Sequence, residues 1–179
     1  MRRNSRPLAL AALAAALGAA LAGCSASASG QTTPTPTATT AATSTTNAKF
    51  SPHIPGLVAT TYDEKAVPSG AAITVSVTTS PTGTVATVHA TGLVASRTYS
   101  LDLHRKACGP AAKDAGAAYG TDFAKNGKNP FAMELSTDAD GAGEATAAIG
   151  WNVTSKDAAS LVLANRADDA STVGCVTLS

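Results

Sequence analysis

Tyr99, Leu101 and Leu103 alternate with Ser100, Asp102 and His104, and this period of two constrains the chain more than any other feature. A strand sends successive side chains to opposite faces, whereas a helix needs apolar residues every three to four positions. Ile73, Val75 and Val77 alternate in the same way with Thr74, Ser76 and Thr78. The turn Ser80-Pro81-Thr82-Gly83 follows, and residues 84–91 supply a return strand, which makes a hairpin. Residues 133–136, the turn Asp138-Ala139-Asp140-Gly141, and residues 144–151, 160–164 and 174–178 continue the pattern. No stretch beyond the N-terminus has a 3.6-residue period. Six to eight strands at roughly ten-residue spacing predict an all-β domain, a Greek-key sandwich or barrel. Residues 108–130 are too long for an ordinary connection, and loops of that length usually carry function.

The N-terminus has a different character. Arg2, Arg3 and Arg6 precede an Ala-rich apolar run over 7–22, shorter than the roughly 20 residues a membrane span needs. This reads as a signal peptide over 1–23. Its end, Leu21-Ala22-Gly23-Cys24, resembles the bacterial lipobox, in which the Cys receives a diacylglycerol and the chain is cut before it. Lipidation at Cys24 and an extracytoplasmic, membrane-anchored location follow as expectations. Residues 24–55 are assigned to the lipidated Cys and a tether, and 56–179 to the β-domain. Within the tether, 25–47 hold no charge and no large apolar side chain, so nothing there offsets the entropy of ordering.

Charge and composition exclude several partners. The full chain carries 13 Lys+Arg against 12 Asp+Glu, a net +1, and loss of the three signal-peptide Arg turns this to −2. Nucleic acid binding needs a clear basic excess and, for single strands, stacking aromatics, which make up only 4% here. With Cys24 committed to lipid, Cys108 and Cys175 are left outside the cytoplasm and are expected to pair.

Several blocks together resemble the copper/zinc superoxide dismutase family in its actinobacterial lipoprotein form. They are Leu101-Asp102-Leu103-His104 with Cys108-Gly109, then Ala115-Gly116-Ala117-Ala118-Tyr119, then Asn129-Pro130 with Ser136-Thr137-Asp138-Ala139, Trp151 and Ser160-Leu161-Val162-Leu163. Val173-Gly174-Cys175 follows near the end, where that family carries its second disulfide cysteine. The resemblance runs over 71–179 and implies that family's Greek-key β-barrel. It also implies a copper held by four His, with zinc sharing one of them. Residue by residue, those four positions fall on Asp102, His104, Ala118 (the bridging position) and Ala164, and the anion-guiding Arg falls near Thr172.

One imidazole of four does not hold a catalytic copper. The expectation is therefore an exported, membrane-anchored lipoprotein whose domain has lost its metal ligands, a non-catalytic envelope or binding module with no cofactor. Its protein partner is not specified by the sequence. The alternative is a superoxide dismutase, or a copper-binding protein, that uses Asp102 and His104 as i, i+2 ligands for copper or zinc. The chain's two other histidines, His53 and His89, have no placement beside that pair. Asp138, Asp140 and Glu144 lack calcium-loop spacing and read as a polar hairpin turn. Arg105, Lys106 and Lys113, with Lys125 and Lys128, make the long loop basic, a candidate surface for an anion or a partner.

Overall fold

The computed structural model describes residues 41–120, 131–154, 156–166 and 171–179. All of them belong to the unit Thr37–Ser179, and the unit Met1–Pro36 lies outside the described residues. Ten strands form one sheet: β1 (Ala42–Lys49), β2 (Ser51–Pro52), β3 (Ala59–Thr61), β4 (Ala72–Ser80), β5 (Gly83–Thr91), β6 (Thr98–His104), β7 (Met133–Thr137), β8 (Gly143–Ile149), β9 (Ser160–Asn165) and β10 (Thr172–Thr177). Their order is β1-β4-β5-β8-β7-β6-β9-β10-β3-β2, curled into a nearly closed barrel. Among the described residues only the short β2–β3 pair is parallel. β6, β7 and β8 are successive neighbours, and β9 returns to lie beside β6, which is a Greek key. β5 lies beside β8 and completes a second, overlapping key in the reverse sense.

The alternation that defines the strands also fills the barrel. On β6, Tyr99, Leu101 and Leu103 are fully buried, while Ser100, Asp102 and His104 between them are half-buried. Ile73, Val75, Val88, Phe131, Leu135, Leu161 and Leu163 complete the interior. Each such side chain contributes about 1.5–3 kcal/mol through the water-exposed area it removes. Tyr99 keeps its hydroxyl in this core because it donates to the Ala66 carbonyl oxygen at 2.5 Å. Burial pushes its phenol above the usual tyrosine value.

The hairpin turns form where the sequence predicts them. Ser80 faces Gly83 across the β4–β5 turn. At the β7–β8 turn the Asp138 carboxylate accepts the backbone N–H of Asp140 at 2.9 Å and of Ala142 at 2.8 Å. Gly141 closes that turn with φ +76°, and a Cβ on it would meet the Leu93 carbonyl oxygen at 2.1 Å. Only glycine fits there.

The N-terminal boundary requires correction. The assignment of 24–55 to a tether, with 25–47 structureless, fails from Ala42 onward, because β1 pairs with β4 along eight residues. Phe50 is also a core residue, 1% exposed. Strand formation here owes little to apolar side chains. It comes from the backbone ladder and from cross-strand hydroxyl contacts, Thr43 with Thr78 at 2.9 Å and Thr45 with Ser76 at 3.1 Å. Thr46, 6% exposed, bonds the Ser179 hydroxyl at 3.1 Å and joins this strand to the far end of the chain. β1, β2 and β3 raise the strand number among the described residues to ten, above the six to eight predicted.

Candidate functional site

The side chains singled out by the sequence lie on the outer face of β6 and β9. Asp102 pairs with Val162 and His104 with Ser160, while Ser100 pairs with Ala164. Strand parity therefore sets Asp102, His104 and Ala164 on one side of the sheet. The long loop folds back over this face. Arg105 N–H donates to the Ala117 carbonyl, Lys106 N–H to Ala115 and Tyr119 N–H to Leu103, at 2.7–3.1 Å. An isolated antiparallel bridge then brings Ala118 opposite His104. Three of the four positions implied by the resemblance thus meet on β6 and its bridge partner, and Ala164 lies along β9 on the same face.

Chemically these positions are not a copper centre. Two of the four are methyl groups and one is a carboxylate, which leaves a single imidazole. His104 Nδ1 lies 2.7 Å from the Gly116 carbonyl oxygen, which only accepts, so Nδ1 carries the proton and donates. Among the described residues no group of three or more His, Cys, Asp and Glu converges. His89 sits on β5, its Nδ1 3.6 Å from the Glu144 carboxylate, with both side chains more than half exposed. In the sheet, β8 and β7 stand between β5 and β6. His53 Nδ1 lies 3.3 Å from the Thr60 hydroxyl. The residues present do not fit a copper held by imidazoles.

Apolar contact occupies the middle of this face. Val162, between Ser160 and Ala164, is 3% exposed and packs in a second buried cluster with Ala115 and Cys175, flanked by Cys108 and Tyr62. The Cys108–Cys175 disulfide, with Cα atoms 5.8 Å apart, joins the loop to β10. This is the predicted pairing. Tyr62, which the sequence reading passed over, donates its hydroxyl to the Gly109 carbonyl oxygen at 2.9 Å. Partial burial raises its phenol above the ordinary value. Ser160 donates to the Lys106 carbonyl oxygen at 2.7 Å. These contacts explain why every residue of β9 is buried although only alternate ones face the core.

The basic residues are partly tied into the same construction. The Arg105 guanidinium lies 5.5 Å from the centre of the Tyr119 ring, a cation–π distance. The Lys106 stem passes over Gly116, close enough that a Cβ there would lie 3.1 Å from its Cγ. Lys113 is exposed on a 3-10 turn at Ala112–Ala115. Lys125 and Lys128, with Asn129 and Pro130, lie outside the described residues, as do the lipobox and Cys24. Among the described residues no helix is long and apolar enough to cross a membrane. Compared with known protein families and curated proteins, the chain matches no family model and no curated sequence.

Proposed function

We propose that the chain is an exported lipoprotein, anchored through Cys24, whose superoxide-dismutase-like barrel serves as a non-catalytic envelope or binding module. One observation supports this most directly. Where the resemblance implies four imidazoles there is one, beside a carboxylate and two methyl groups. Electron relay to superoxide requires a redox metal, and imidazole ligation is what suits copper to that task. The face is organised instead by a disulfide, an apolar cluster and a folded-back loop.

The test is metal analysis of the purified full chain after exposure to copper and zinc, together with a superoxide-scavenging assay. Neither stoichiometric metal nor scavenging is expected. Stoichiometric copper with scavenging lost in His104→Ala overturns the non-catalytic reading in favour of an enzyme. Copper held through Asp102 and His104 without turnover overturns it in favour of a copper-binding protein. Cys24→Ser should move the protein out of the membrane fraction, and retention there sinks the lipid-anchor reading.

A further inference from the structure

Among the described residues, one end of the barrel is not filled. On the inward face of β4, Ile73 and Val75 are 2% and 1% exposed, yet Val77 farther along the same face is only partly buried. On β1, Thr46 is buried, whereas Ser44, which pairs with Val77, is exposed. Small barrels ordinarily pack their inward positions with side chains, and barrel mouths left open are favoured places for ligands. Here the packing stops partway and leaves a recess of about 370 Å³, with Leu103 and Val153 contributing to its apolar wall. An apolar cavity of about 150 Å³ already holds benzene.

We propose that this recess is a binding site for a mainly apolar small molecule that carries no negative charge. The charge argument selects the ligand class. None of the side chains lining the recess is ionisable. The one charge at its rim is the α-carboxylate of Ser179, so an anion would lose its hydration there and meet a like charge, which is costly. Polar handles lie at one side only. The Ser44 hydroxyl donates to a main-chain carboxylate oxygen of Ser179 at 2.5 Å, and Thr46 Oγ1 accepts the Ser179 backbone N–H at 3.1 Å. Such hydroxyls suit a ligand with an apolar body and one hydroxyl or carbonyl group. The site lies on the inward face of the barrel, on the opposite side of β6 from Asp102 and His104, so it does not depend on the metal reading.

Trp151, the only tryptophan, directly precedes Asn152 and Val153 of the wall and serves as an energy donor. The full chain carrying Cys24→Ser is titrated with the neutral probe N-phenyl-1-naphthylamine, with Trp151 excited. Saturable one-to-one energy transfer is expected. It should weaken at least tenfold in Ser44→Phe/Val77→Phe, which fills the mouth, and stay unchanged in Val85→Phe, on the outer face of β5. Absence of saturable transfer, or equal affinity in the filled variant, overturns the proposal. A second measurement serves if the filled variant does not fold. 1-Octanol should raise the Tm of the unfilled chain and octanoate should not. Equal shifts with both, or a shift with neither, overturn the assignment of a ligand without negative charge.

Discussion

His104 faces Ala118 across an antiparallel bridge, and two residues earlier in the loop the Gly116 carbonyl oxygen accepts the proton on His104 Nδ1 at 2.7 Å. His104 thus holds the long loop against β6. Removing the imidazole in His104→Ala should cost about 1–2 kcal/mol in urea unfolding, the worth of one hydrogen bond with its acceptor left partly unsatisfied. His104→Asn should recover most of the loss, because its amide can donate near the position of Nδ1. Equal stability of His104→Ala and the parent would remove the role assigned to this bond.

Tyr99→Phe keeps the ring in the core but strands the Ala66 carbonyl, whose donor now lies 2.5 Å away in a buried site. The expected loss is about 1–3 kcal/mol, and chemical denaturation measures it. A change below the measurement error would mean that water replaces the hydroxyl.

The disulfide closes a loop of 67 positions. Replacing both Cys108 and Cys175 with Ala should destabilise the domain by about 4 kcal/mol on the chain-entropy treatment. Because both cysteines pack with Ala115 and Val162, amide exchange in residues 105–119 should accelerate before the rest of the barrel opens. Uniform acceleration across the domain would argue against local release.

Strand β1 is an edge strand that covers β4. Comparing a chain that begins at Ala42 with a shorter one isolates the contribution of this strand. Deletion through Lys49 exposes the β4 backbone and removes the Thr46–Ser179 contacts, so a lower Tm and concentration-dependent aggregation are expected. Light scattering during a thermal melt separates the two outcomes.

Thr154 donates from both its hydroxyl and its backbone N–H to the Asp157 carboxylate, at 2.7 and 3.1 Å. The side-chain bond, followed by the backbone one, lowers the Asp157 pKa from 3.8. A depressed carboxylate pKa means that the unfolded chain binds the proton more readily. The contribution is therefore present above the unfolded value and fades as pH falls through the lower folded value. Asp157→Asn should show a shallower loss of stability below about pH 4 than the parent, and the two curves should converge in strong acid. Parallel curves would deny the linkage. The exposed position keeps the effect small.

Much of the barrel was legible in the sequence because apolar side chains at alternate positions report which face is buried. Residues 72–80, 83–91 and 98–104 announce themselves in this way. Residues 42–49 do not, because threonine and serine carry β-propensity but no apolar stripe, and their strand exists through pairing with β4. Nor does Tyr62 stand out, since its partners Gly109 and Val162 are 47 and 100 positions away.

Taken alone, the sequence determined the all-β class, the two long hairpin turns and the pairing of Cys108 with Cys175. It also fixed the shortage of imidazoles, which is a matter of composition. Only the tertiary structure decided where the domain begins, what His104 bonds, and that the outer face of β6 and β9 is packed with apolar contacts. It also decided that the described residues leave the barrel interior unpacked beside Ser44 and Val77. The physical reason is that alternation is a local property of a strand. Loop closure, edge pairing and incomplete filling of a barrel instead depend on residues that meet only after the chain has folded.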